Sequence, residues 1–453
     1  MKYFIVFILI LLASVILFLC SPFLLLFVAS IVFFLFVYRL ASPASALQDL
    51  GENPALKEDP FVSIYRTDPN FSKFLFEDFI RLLYKEIHRA RGKRTEGKKR
   101  LKYFVTSHIL RVIESASNPD YVKNISIGLF DVVSLDVSSN WTTTEVFLIA
   151  SFEEISGEGE KAKSQSYCLE ERLYLRRRTG ALSPGPLQMR QLSCPTCLSP
   201  LHLDEEGKCK ECQKSPRAGD EQWQLTEMVT RLKNDRDTAD RVLPTPRQEI
   251  AELPPVMDKF FFAERRDFLS RNRHFKLGEF KELVEMLFVD HQKAWTSLNW
   301  EPMAAVQTAS FHETRLFWVE RYRRRKMTPH ADDPFVRAIK VVTISHDAHF
   351  DYITARISAS TVDYTTNEND EVVMGTRDNP VDYREYWTFV RVRRYGHSNV
   401  EEPRCPSCTG PLNGVEGQSC PFCSTTVKGL ELDWTLARVE REEDYGCRSG
   451  TVG

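Results

Sequence analysis

The chain repeats one block of sequence, and that repeat limits its architecture more than any other feature. Cys194, Cys197, Cys209 and Cys212 stand as C-x2-C-x11-C-x2-C, and Cys405, Cys408, Cys420 and Cys423 reproduce the spacing. Pro195 and Pro406 follow the first cysteine of each set, and Trp223 and Trp434 follow the last at equal distance. Every member of the second set lies 211 residues after its counterpart. Upstream the match continues with small changes of offset, as altered loop lengths would produce. Glu170-x-Arg172-x-Tyr174-x-Arg176 lines up with Glu385-x-Trp387-x-Phe389-x-Arg391, both alternating like strands. Stretches beginning 125–137 and 339–351 are β-branched and read as strand pairs, and Phe74-x4-Phe79 matches Phe275-x4-Phe280. Phe79, Leu82, Leu83 and Ile87, and likewise Phe280, Leu283, Leu287 and Phe288, have helical spacing. Each copy therefore reads helix, helix, several strands, four-cysteine insert, final strand. Helices first and strands after predict α+β rather than alternating α/β. Two unrelated α+β domains are the alternative, and eight cysteines, two prolines and two tryptophans in register weigh against it.

Paired C-x2-C knuckles suit a structural Zn2+ ion: four thiolates close a tetrahedral shell and leave no open position for catalysis. The expectation is two such sites, Cys194, Cys197, Cys209 and Cys212 in a ribbon at 192–214, and Cys405, Cys408, Cys420 and Cys423 in a ribbon at 403–425. Disulfides within each set are the competing reading, favoured if these domains lie in an oxidising compartment. Of the 11 cysteines, Cys20, Cys168 and Cys447 stand apart. The ribbons are not basic: 198–208 holds Asp204, Glu205 and Glu206 against Lys208, and 409–419 has no Lys or Arg. With a net charge of -2 and a pI near 6.6, no nucleic-acid partner is expected.

Residues 3–38 contain no charged side chain and are bracketed by Lys2 and Arg39. One helix of that length would run about 54 Å, against a hydrocarbon core of about 30 Å. Ser21-Pro22 sits in the middle, where proline breaks a helix. A transmembrane hairpin, 3–20 and 23–38, is expected to anchor the chain in membrane lipid. A single tilted span and a secretory signal ending at Ala44-Ser45-Ala46 are the alternatives, the signal disfavoured by its length. The hairpin puts Lys2 and Arg39 on one side, cytoplasmic by the positive-inside bias, so an inner or plasma membrane protein with cytoplasmic domains is expected. The organisation is then an anchor over 1–40, a connector over 41–64, a first domain over 65–231, a linker over 232–260 containing Pro244, Pro246, Pro254 and Pro255, a second domain over 261–442, and a disordered tail over 443–453.

The Phe-rich helix, the strand Glu385-Tyr-Trp-Thr-Phe-Val-Arg391 and the ending Leu432-Asp433-Trp434-Thr-Leu436 resemble the Tim44-like domain family, especially bacterial members with a membrane anchor and a cysteine ribbon. The resemblance spans most of 65–230 and 265–445. It is thinner in the first copy, where Arg172 stands for Trp387 and Gln222 for Asp433. It implies a curved antiparallel sheet wrapped by helices, the α+β roll of nuclear-transport-factor-two and cystatin, with a concave apolar groove. It also implies life at a membrane docking proteins: the mitochondrial member tethers a chaperone and associates with anionic lipid.

No catalytic constellation emerges. His346, His349 and Asp351 read as surface residues, and Glu170 and Glu385 as strand residues near arginine; a phosphate loop and a nucleophile elbow are missing. Basic runs at 89–102, 176–178 and 321–326 read as solvated faces or as contacts to anionic lipid headgroups. The expectation is a non-enzymatic membrane-anchored scaffold for a protein partner. The alternative is a lipid or small apolar ligand in the concave pocket, with or without chemistry.

Overall fold

A computed structural model of the chain describes residues 61–93, 98–115, 119–157, 162–215, 219–235, 247, 254–393 and 434–445. The apolar stretch 3–38 and the second cysteine set lie outside these residues. Among the described residues no helix is long and apolar enough to cross a membrane. All of them belong to one compact unit, Glu58–Gly453.

The fold is α+β with two antiparallel sheets. The first half has helices α1 (Lys73–Ala90) and α2 (Ser107–Ser115), then strands β1 (Tyr121–Val137), β2 (Trp141–Ser156), β3 (Lys163–Arg178) and β4 (Gln224–Asp235), paired in chain order. The second half has α3 (Phe261–Arg271), α4 (Leu277–Thr296) and α5 (Ala309–Arg324), then β5 (Thr328–His346), β6 (Phe350–Thr366), β7 (Val372–Gly375), β8 (Val381–Val392) and β9 (Thr435–Arg441). Its sheet order is β5-β6-β8-β9, with β7 a short addition to β6. Helix α1 starts where Ser72 turns extended and its hydroxyl accepts from Leu75 N–H at 3.4 Å. From there Phe76, Phe79, Ile80, Leu83, Tyr84 and Ile87 form the buried stripe.

The irregularities of the two sheets recur. Register shifts between β1 and β2 fall at Lys123/Ser126, Ile127/Leu129 and Val132/Ser134. Between β5 and β6 they fall at Asp332/Phe335, Val336/Ala338 and Val341/Thr343, each 209 positions later. The first shift in each hairpin holds a non-glycine residue at positive φ, Asn124 at 52° and Asp333 at 49°. Such bulges bend the strand and increase its twist, so both long hairpins bend at matching places. Val105 makes a parallel bridge to Leu225 and Gln307 to Leu436, and the next amides, Thr106 and Thr308, each donate to those leucine carbonyls at 3.0 Å.

The last pairing corrects the alignment read from sequence. Strands β3 and β4 slip at Tyr174/Leu175, and β8 and β9 at Thr388/Phe389. Leu175 therefore corresponds to Phe389, Leu173 to Trp387, Glu171 to Glu385 and Arg177 to Arg391. The sequence reading, which placed Glu170, Arg172 and Arg176 there, is off by one, and a one-residue slip moves every side chain to the other face. The corrected register explains the tryptophans. Trp223 meets Phe76 edge-on at 5.1 Å beneath the Arg177 guanidinium at 5.0 Å, and Trp434 meets Phe280 at 5.7 Å beneath Arg391 at 4.6 Å. Arg177 is buried and paired with Asp68 at 2.7 Å. Only its neighbours Arg176 and Arg178 stay outside, over the Trp141 ring.

The two halves pack on each other. Helix α5 lies on β1, where a Cβ added to Gly128 would stand 2.1 Å from the Phe317 ring, and Trp318 Nε1 donates to the Gly128 carbonyl at 3.0 Å. Phe74 meets Phe350 at 5.3 Å, and Lys85 pairs with Glu313 at 2.8 Å. The packed regions exceed the expected boundaries. Phe61 and Ile64 are fully buried in the first core, and Tyr445 stacks on Tyr386 at 3.7 Å, beyond the expected start of the tail.

Candidate functional site

The first cysteine set forms a site in the connection from β3 to β4. Two knuckles build it in the same way. Leu198 N–H donates to Cys194 O and Gln213 N–H to Cys209 O, both at 2.8 Å, and these donors have φ of 62° and 58°. That left-handed conformation is costly for residues other than glycine, about 1–2 kcal/mol each, and something at the site must offset it. The knuckles bring Cys194 Sγ to 3.9 Å from Cys212 Sγ and Cys197 Sγ to 3.8 Å from Cys209 Sγ, with all four sulfurs within 4.8 Å of one another. A zinc–thiolate bond of about 2.3 Å requires tetrahedral edges of about 3.8 Å, so the residues fit a metal ion. Burial and the neighbouring thiols push Cys194 up to about 12. For Cys197, burial is outweighed by hydrogen bonds from the Ser199 backbone and Cys212, which bring it down to about 7. The ribbon is not a free extension: Leu192, Cys194, Leu201 and Cys209 belong to the same buried cluster as Trp223. Cys405, Cys408, Cys420 and Cys423 lie outside the described residues. Among those described there is one four-cysteine group.

A second site lies beneath the long helix of each half. Glu171 is 1% exposed on β3. It accepts from the Tyr84 hydroxyl at 2.6 Å and from Thr230 Oγ1 at 2.8 Å, with His88 Nε2 at 3.5 Å. Burial would raise this carboxyl, but His88 and the two hydroxyls more than compensate and hold it below the usual range. Glu385 is its counterpart on β8. Here α4 offers Phe288 and Gln292 in place of Tyr84 and His88, because Phe280 corresponds to Phe76 against its tryptophan and not to Phe79 as the sequence reading matched it, and the charge is met from elsewhere. Arg247, from the segment joining the halves, donates from Nε to Glu385 at 3.0 Å. Trp387 Nε1 donates to the other carboxylate oxygen at 3.0 Å. Burial raises Glu385, and Arg247 together with the Trp387 bond brings it below its ordinary value. His291 lies between Trp300 and Trp387 at 4.9 and 5.1 Å, and neither ring nitrogen has a hydrogen-bond partner among the described residues.

The sequence reading names Glu385 but not Glu171, which the register hid, nor Arg247, which sits in a proline-rich linker with no periodic signal. His346, His349 and Asp351 do not converge. His346 is exposed beside Glu264 at 3.6 Å, whereas Asp351 is buried and pairs with Arg391 at 3.0 Å. Asp351 is therefore a core ion-pair residue, not the surface residue expected.

Between the halves lies a cleft of about 1100 Å³, walled by α1, α5 and residues of β1–β3. It is lined by Arg81, Lys85, Arg190, Arg321 and Arg324 among others, with Asp78 and Glu313 pairing Arg190 and Lys85 at 2.6 and 2.8 Å. Charged side chains share this lining with Leu82, Ile125, Leu316 and Phe317, and a cleft between the halves is distinct from the groove expected within each roll.

Comparison with known proteins identifies a Tim44-like domain at residues 264–401. The match covers most of α3, all of α4 and α5, and β5–β8, and it ends before the second cysteine set. No curated protein matches the chain. Among solved structures, an "Ntf2 like protein involved in plasmid conjugation" is similar over 79% of this chain and 94% of its own, at 7% identity and a TM-score of 0.17. At that TM-score and identity the likeness carries no property over to this chain. A Tim44-like domain fits a protein-binding or ligand-binding scaffold.

Proposed function

We propose that this chain is a membrane-anchored, non-enzymatic scaffold that binds a protein partner through two Tim44-like domains, each stapled by a structural zinc ion. The observation that carries the reading is the Tim44-like match at 264–401. The matching bulges and slips of the first half support extending it to that half, and the charge-free stretch 3–38 supports the anchor. Zinc is the metal best suited to four thiolates at tetrahedral spacing, and it would act as a staple, fixing the knuckles on the Trp223 core. The domains are placed at the cytoplasmic face of an inner or plasma membrane, where anionic headgroups would orient them through exposed basic residues such as Lys99 and Arg100.

The reading is tested by cross-linking the full chain in intact cells and fractionating the membranes. A membrane-fraction adduct with a defined protein is expected, lost to the soluble fraction when residues 1–40 are removed. A chain that alkali extracts from membranes, or that yields no adduct above background, contradicts it. An apolar ligand inside the second half has less support, because Phe288, His291, Trp387 and Arg247 occupy that interior.

A further inference from the structure

The two buried glutamates differ in one respect that separates the halves. Glu171 is satisfied by its own domain, from Tyr84 on the overlying helix and Thr230 on the neighbouring strand. Glu385 takes one bond from its own strand, Trp387 Nε1 at 3.0 Å, but its charge is met by a residue outside its domain's helices and strands. Arg247 is held as a peptide ligand is held, by backbone and side chain together. Its N–H donates to Asp363 Oδ2 at 2.9 Å, its Nε to Glu385 at 3.0 Å, its Nη1 to Asp363 at 3.3 Å and its Nη2 to Gln292 Oε1 at 3.4 Å. The guanidinium also lies 4.3 Å from the Tyr383 ring centre. Two carboxylates, an amide and an aromatic face, each nine-tenths or more buried, thus converge on one planar cation. This arrangement suits arginine and not lysine, whose ammonium is a point charge without the fork.

The pocket is not exhausted by its occupant. With Arg247 seated, the Tyr383 hydroxyl, Gln292 Nε2 and both His291 nitrogens still have no partner among the described residues, although all three residues are 3% exposed or less. Burying polar atoms in that state is costly unless something else completes them. The Arg247 side chain is itself 12% exposed, so the socket opens to the surface.

We propose that Glu385, Asp363, Tyr383 and Gln292 form an arginine-recognition socket, that Arg247 is its ligand in cis, and that an arginine on the scaffold's protein partner takes Arg247's place. This deepens the scaffold reading and rests on it for the partner. The socket itself can be tested without any partner.

The test uses the full chain in detergent and the fluorescent peptide acetyl-Thr-Pro-Arg-amide, which copies the sequence ending at Arg247. Arg247→Ala should bind it at least tenfold more tightly than the unaltered chain, whose own arginine competes. Arg247→Ala/Glu385→Gln should lose that gain, and the lysine peptide should bind at least tenfold more weakly than the arginine peptide. If Arg247→Ala does not fold, Arg247→Gln serves instead, with millimolar methylguanidinium expected to raise its melting temperature but not that of the Arg247→Gln/Glu385→Gln chain. Equal binding to the altered and unaltered chains, or no discrimination between arginine and lysine, overturns the socket. Socket binding without any cellular adduct would sink the scaffold reading and leave the socket standing.

Discussion

Glu171 and Glu385 occupy equivalent places on β3 and β8, yet a tyrosine hydroxyl 2.6 Å away satisfies the first and an arginine 3.0 Å away satisfies the second. The first glutamate is satisfied within its own half, whereas the second depends on the segment that joins its half to the first. This difference makes the two halves respond differently to substitution.

Tyr84→Phe removes one hydrogen bond to a buried carboxylate and adds nothing. Bonds to charged groups contribute about 1.5–3 kcal/mol. We expect a loss of that size in urea unfolding, and Tyr84→Phe/Glu171→Gln should recover part of it. If Tyr84→Phe is neutral, the Glu171 cluster does not hold α1 to its sheet.

Gly128→Ala tests the packing of the halves. Its Cβ would lie 2.1 Å from the Phe317 ring, and the Phe317 backbone sits on a helix that cannot move alone. Overpacking of this kind costs about 1–3 kcal/mol. Thermal unfolding should show the loss, and Phe317→Leu in the same chain should relieve it. An unshifted melting temperature would mean that α5 does not rest on β1.

Much of this was legible in the sequence, for physical reasons. The 3.6-residue spacing of Phe79, Leu83 and Ile87 sets the buried face of α1, and all three are buried. The C-x2-C spacing sets the knuckles at Cys194 and Cys209. Three things were not legible. The register of β3 could not be read, because Glu170 and Glu171 fit an alternating strand equally well and only the partner strand chooses. Gly128 gave no signal, because its need for a bare backbone comes from Phe317, far away in sequence. Arg247 was hidden because a lone arginine among prolines and charges has the composition of a linker, and its role is defined by the pocket it enters.

His291 predicts a pH dependence. Burial, then the positive charges of Arg315 and Arg247, hold it well below its ordinary value, with Glu385 on the neighbouring strand the nearby acid that Arg247 neutralises. The unfolded chain therefore binds a proton near pH 6.5 that the folded chain refuses. Stability is unaffected above that pH and falls below it, by up to about 1.4 kcal/mol per pH unit. The urea midpoint should drop between pH 7.5 and 5.5, and His291→Gln should shrink the drop. A drop of equal size in both chains would contradict the assignment.

Cys194→Ser should loosen the ribbon and, through Leu192 and Leu201, the packing around Trp223. A red shift of tryptophan emission is expected, with the Glu385 half unchanged in limited proteolysis. Emission identical to the unaltered chain would separate the ribbon from the core.

Metal analysis of the full chain, purified under reducing conditions without added metal, tests the account most directly. Two zinc ions per chain are predicted. One should remain when Cys194 and Cys197 are replaced by serine, and one when Cys405 and Cys408 are. A metal-free chain with oxidised cysteines, or one pair of substitutions that empties both sites, would contradict it.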